Sequence, residues 1–134
     1  MITLSLAKHL ADEGFGQIDT DIFYQKLTLD KKGIYIADIG ESVGRHSRDS
    51  QGYEILSRGT TDVTGYQILQ DIRKYLINNY QDICELPAVP PITTENYQNV
   101  HLTKPSSITN VGLDAQNRVI YSITGSILYK EKEQ

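Results

Sequence analysis

Arg45-His46-Ser47-Arg48-Asp49-Ser50 gathers an imidazole, hydroxyls, a carboxylate and two guanidiniums in one short stretch. Imidazole, hydroxyl and carboxylate are the groups of a nucleophilic triad. A triad, however, needs them to converge in space, normally from separate segments held rigidly. This stretch lies inside Gly40 to Gly52, GESVGRHSRDSQG, which is polar, bounded by glycine and has almost nothing to bury. It reads as an exposed mobile loop. Arginines on such an excursion suit a clamp that orders against a partner protein better than they suit catalysis.

The second candidate is the turn Arg58-Gly59-Thr60-Thr61-Asp62, set between a strand and a helix in YEILSRGTTDVTGYQIL. A strand, a glycine, hydroxyls and a helix start can cradle a phosphate, because free N–H groups point at the ligand. Such cradles usually use more than one glycine, and a P-loop adds a Lys-Ser/Thr pair that is missing here. Asp62 would repel a phosphate where the helix dipole should attract it. The turn reads better as a Thr or Asp N-cap following a strand.

Metal and acid–base chemistry have less to stand on. His9 and His101 are far apart, with no Cys or carboxylate at ligand spacing, so neither a metal nor a cofactor is expected. Asp38, Glu41 and Glu54 are scattered in and around two strands, and nothing singles out a pair. The single cysteine, Cys84, excludes an intramolecular disulfide and a cysteine-based zinc site. Its apolar neighbours predict a buried, inert thiol.

The elements that must position these groups follow from periodicity. Ile2, Leu6 and Leu10 mark one face of a short helix, which Gly14 and Gly16 stop. Asp21 to Leu29 alternates as a strand. GIYIADIG is a second strand, apolar on both faces and so expected to be covered on both. Tyr53 to Arg58 returns antiparallel to it. Val63, Tyr66, Leu69, Ile72, Leu76, Tyr80 and Ile83 then form the stripe of a long amphipathic helix starting near Thr61 or Asp62. Pro87, Pro90 and Pro91 forbid its continuation, and the proline-dense segment 85–99 has no assigned role. VHLTKP is a short edge strand that Pro105 ends. SITNVGLD leads through a turn at Asp114 to Asn117 into RVIYSITGSILYK, whose odd positions from Val119 share a mostly apolar face, with Ser122, Thr124, Ser126 and Lys130 on the other, expected to face solvent. The sum is one α+β domain over 1–134. It has an antiparallel-dominated sheet of about five strands, with one long and one short helix packed on one side.

The 134 residues fit one domain with a true core. Net charge is −4, which argues against sequence-driven nucleic-acid binding. The start, MITLSLAKHLADEG, lacks a signal peptide's charged and apolar regions, and no run approaches a membrane span. A soluble protein of a reducing cytoplasm is expected. Nine Tyr, two Phe and no Trp favour half-buried sheet faces and subunit interfaces.

SLAKHLADEGFG, DIFYQKL, GIYIADIG with its polar loop, the strand ending Arg58-Gly59 before VTGYQILQDIRKYL, and ITNVGLDAQNRVIYSITGSILYK occur in a telling order. Over most of the chain this layout resembles the minor capsid or tail terminator proteins of long-tailed bacteriophages. The likeness lies in pattern and order, not in a signature motif. It implies no enzymatic activity and no catalytic residues. It implies a homo-oligomer, a hexameric ring on the head-proximal end of the tail, which stops tube polymerisation and docks the head. Its partners would be the tail tube protein and a head-completion or connector protein, with DNA passing through the ring without specific binding. Under that resemblance Arg45, His46, Ser47, Arg48 and Asp49 are candidate contacts to the tube or a neighbour, and Arg58 a candidate inter-subunit contact. The alternative is a small cytoplasmic ligand-binding or enzyme domain using the turn at 58–62.

Overall fold

The computed structural model describes residues 2–24, 33–43, 49–59, 62–114 and 117–129, with the main chain alone at 41–43, 49 and 62. The elements are α1 (Ile2–Asp12), β1 (Ile22–Tyr24), β2 (Gly33–Val43), β3 (Asp49–Arg58), α2 (Asp62–Asn79), β4 (Glu85–Leu86), β5 (Tyr97–Gln98), β6 (His101–Leu102), β7 (Thr109–Leu113) and β8 (Val119–Tyr129). The class is α+β, as expected. The main sheet has the order β1-β2-β3-β8-β6, with β7 also on β8. It is mixed: β1 runs parallel to β2, and every other pairing in it is antiparallel. No helix among the described residues is long and apolar enough to cross a membrane.

Both helices cover one face. In-register Ile34–Ser57–Tyr121 and Ile36–Ile55–Ile123 carry that face across the sheet. Leu69, Ile72 and Leu76 of α2 and Ile2, Leu6 and Leu10 of α1 close over it in a single cluster. Each such side chain, fully buried, contributes roughly 1.5–3 kcal/mol. The expected α1 stripe is there, and Thr3, Leu4, Ser5 and Ala7 are buried as well. The expected α2 stripe fails at its start, where Val63 and Tyr66 are exposed; Leu69, Ile72 and Leu76 reach the core, as do Tyr80 and Ile83 just past the helix end at Asn79.

Three expectations need correction. Gly40 to Gly52 is not one loop, because β2 runs on to Val43 and β3 begins at Asp49. The two strands stay paired through a register shift between Asp38 and Glu41. Buried Gln51 donates to the Gly40 carbonyl at 2.9 Å, tying the polar segment down. Main-chain pairing needs no apolar side chain, so the composition hid these strands. Second, the even positions of β8 are not simply solvent-facing, because Ile120 and Ser122 are buried on the face away from the helices. Third, Cys84 is exposed, beyond the end of α2, with its thiol 3.2 Å from the Asp82 carbonyl. Of the expected strand Asp21 to Leu29, only 21–24 are described, and β1 takes up Ile22–Tyr24.

Residues 101–113 all follow β8 as a broken edge. β6 pairs with Leu128 and Ile127, and β7 with Ser122 to Val119. Between them the amides of Thr103 and Ser106 still reach the Ser126 and Thr124 carbonyls, at 3.0 and 2.8 Å. Buried Pro105 interrupts the ladder as its missing N–H requires. The register shift between Asn110 and Gly112, with the Asn110 side chain taking the Gly112 amide at 2.9 Å, blunts the edge further.

Candidate functional site

At the strand–helix junction the chain makes a backbone contact. A Cβ on Gly59 would lie 2.5 Å from the Gly65 nitrogen and 2.8 Å from Thr64 Oγ1. Ser57 Oγ donates to the Gly65 carbonyl at 2.8 Å from inside the sheet. The glycine weighed as a ligand's point of approach is where α2 approaches β3. A depression of about 380 Å³ lies beside the junction, lined by Gly14, Gly16, Asp21, Gly33, Gly59 and Thr64 among others. Its carboxylate, Asp21, accepts from the Gln17 amide at 3.2 Å and opposes an anion. Thr60 and Thr61 lie outside the described residues.

Arg58, the last residue of β3, points to the face away from the helices. Its side chain is 0% exposed and meets Asp114, 4% exposed, at 3.2 Å. Its Nη2 donates to the Tyr35 hydroxyl at 2.8 Å, and its guanidinium stands 5.5 Å from the Tyr35 ring centre. Phe23 stacks on the same ring at 5.4 Å. Asp114 also takes the Arg118 Nε at 2.9 Å and the Arg118 amide at 2.8 Å. One carboxylate thus closes the β7–β8 turn and neutralises a buried cation. Within a single chain, then, the Arg58 side chain has no exposed surface to offer another subunit.

Of the remaining loop candidates, Arg45, His46, Ser47 and Arg48 lie outside the described residues. Asp49 opens β3, paired with Val43 and Tyr129. Asp38 and Glu54 do not converge, and the Glu41 side chain lies outside the described residues. Asp38 shares the helix face with Tyr53, and Glu54 the other face with Ala37. Thr3 Oγ1 and Tyr24, at 3.2 Å from Oδ2, both donate to Asp38. Burial, chiefly, raises the Tyr24 hydroxyl above its ordinary pKa. Glu54 accepts from Ser122 at 2.9 Å.

His9 is joined to Tyr75 at 2.8 Å, linking α1 to α2. Burial first, then the Glu13 charge, raises the Tyr75 pKa. The pair lines a cleft of about 710 Å³ with Asp82, Cys84 and Glu85. Among the described residues no group of three His, Cys, Asp or Glu could hold a metal ion.

What sequence reasoning missed is an apolar corner. Val63 is 77% exposed, Leu113 62% and Tyr66 41%. Tyr66 meets Tyr121 edge-on at 5.4 Å, and Leu113 pairs with Val119, two residues along the same face of β8. Val63 and Tyr66 thus stand on the first turns of α2, and Tyr66 touches the face of β8 beside which Leu113 pairs. Large exposed apolar patches are a general feature of interaction surfaces. The signal available was the glycine pair flanking the helix start, since Gly65 replaces a side chain as the packing point. Compared with known proteins, the chain matches no family model and no curated sequence.

Proposed function

We propose that this chain is a structural virion subunit of a long-tailed bacteriophage. It caps the finished tail tube as a ring, ends tube polymerisation and offers the surface that the head joins. The observation that carries the reading is the exposed corner of Val63, Tyr66 and Leu113 on a domain with its own packed core. A subunit needs such a surface, and a free-standing domain gains nothing from it. The tail assignment itself comes from the order of elements, which resembles the tail terminators. In this reading the net charge of −4 lets DNA pass the channel without being gripped. The connection carrying Arg45, His46, Ser47 and Arg48, between β2 and β3, meets the tube or a neighbour. The chain has no reaction to perform.

The test is mass measurement in solution with negative-stain imaging, alone and with tail tubes. Six-fold rings, or monomers that become rings on tube ends, are expected. A stable monomer that neither forms rings nor caps tubes contradicts the proposal. Replacing Arg45 and Arg48 by Glu should keep the fold and impair tail joining. A second reading, a small-ligand domain at the 58–62 turn, is favoured by the glycine-lined depression alone. Inorganic phosphate binding, lost in Gly59→Ala while the fold persists, would support it.

A further inference from the structure

Resting on the ring reading, we infer that neighbouring copies meet head to tail: the Pro90-Pro91-Ile92 tip of one copy seats in the groove between α2 and the 103–113 edge of the next.

The tip is a built projection. β4 pairs with β5 at its root, Glu85 with Gln98 and Leu86 with Tyr97. Above the root, the Asn96 side chain takes the Ala88 amide and donates to Glu85, both at 2.8 Å. Thr93 and Val89 exchange bonds at 2.8 and 2.9 Å. What this frame holds out is apolar: Pro90 and Pro91 are exposed, and Ile92 is 50% exposed. Prolines and a closed hydrogen-bond frame leave little entropy to lose on docking. The root is acidic, with exposed Asp82, Glu85 and Glu95.

The groove has the complementary order. Its apolar end is Val63, Tyr66 and Leu113. Two helical turns on, Arg73 reaches across to the Ser106 carbonyl at 2.7 Å, with exposed Lys74 next along α2 and exposed Lys104 two residues before Ser106. Asp71 is the acidic neighbour, held by Gln67 at 2.8 Å. Tyr66 to Arg73 spans about 10 Å of helix, and Ile92 to Glu95 reaches at most about 10 Å of chain. The tip therefore meets the apolar end while its acidic root meets the basic end. Charges so arranged fix the register of an interface. Two different surfaces in contact make a heterologous interface, which closes into a ring when the rotation allows.

Two variants test this, Ile92→Asp (tip disabled, groove intact) and Val63→Asp (groove disabled, tip intact). Both positions are exposed, and thermal melts check the folds. Each variant alone should lose self-association. Mixed one to one, they should form a complex of twice the chain mass and nothing larger, since one good tip meets one good groove. A mixture that stays monomeric, or a single variant that still forms the wild-type oligomer, overturns the contact. So does a wild-type chain that remains monomeric at its highest soluble concentration. Tube capping separates the two ideas. Variants that cap tubes as rings sink the contact and leave the ring reading. Tip–groove association without capping keeps the contact and sinks the tail role.

Discussion

A Cβ on Gly59 would stand 2.5 Å from the amide nitrogen of Gly65, so the end of β3 and the first turns of α2 touch backbone to backbone. Gly59→Ala is therefore expected to destabilise the protein by roughly 2 kcal/mol, within the range for overpacking. Gly65→Ala meets the Gly59 nitrogen at a looser 3.0 Å, and its better helix propensity offsets the contact. Urea unfolding should rank the first variant well below the second. The reverse ranking would refute the backbone contact.

Arg58 and Asp114 form an ion pair with both side chains out of water. Removing one partner of a buried pair leaves the other uncompensated, typically costing about 3–5 kcal/mol. Asp114→Ala should show such a loss in urea midpoints, and Arg58→Ala likewise. Arg58→Lys should recover only part, because an ammonium does not reproduce the guanidinium fork between Asp114 and Tyr35. Full recovery by lysine would show that charge alone matters there.

Tyr53 is fully buried, with its ring against Gly125, and its hydroxyl has no hydrogen-bond partner among the described residues. Burial pushes its pKa up to about 12. The folded state thus holds the proton more tightly than the unfolded chain. Stability is fully present below pH ~10, the ordinary tyrosine value, and is lost as pH rises toward 12. The loss is on the order of 2–3 kcal/mol at 1.36 kcal/mol per pKa unit. Tyr53→Phe should cost little at pH 7 and fall less between pH 9 and 11 in urea titrations. Parallel pH curves for the two proteins would contradict this.

Cys84 is exposed beside the His9–Tyr75 cleft. In native buffer a disulfide reagent should therefore modify the thiol completely, with no denaturant. Labelling that waits for unfolding would return it to the core.

Legibility from sequence followed how local each cause is. Leu69, Ile72 and Leu76 were read from spacing alone, because a helix stripe is local and all three reach the core. Ile123 and Ile127 came out of strand alternation in the same way. Val63 and Tyr66 fit the same stripe but stay exposed, since the contact of Gly59 with Gly65 decides what packs there. Arg58 looked like a surface charge because its counter-charge, Asp114, lies beyond α2 and four short strands. β2 beyond Gly40 and β3 before Tyr53 were hidden because their pairing is made by main chain, in a sequence as polar as a loop's. The parallel direction of β1 left no trace, since parallel and antiparallel strands share one alternation. The tip at Pro90 to Ile92 showed as proline density, but its closed frame needs Asn96 against Glu85 and Ala88.

The central claim is that this chain stops tail tubes by ringing their ends. The most direct measurement adds purified chain to polymerising tail tube protein and follows tube length by electron microscopy. The account predicts that growth stops, with a six-fold ring at one end of each tube. Tubes that grow to the same lengths with bare ends would contradict it.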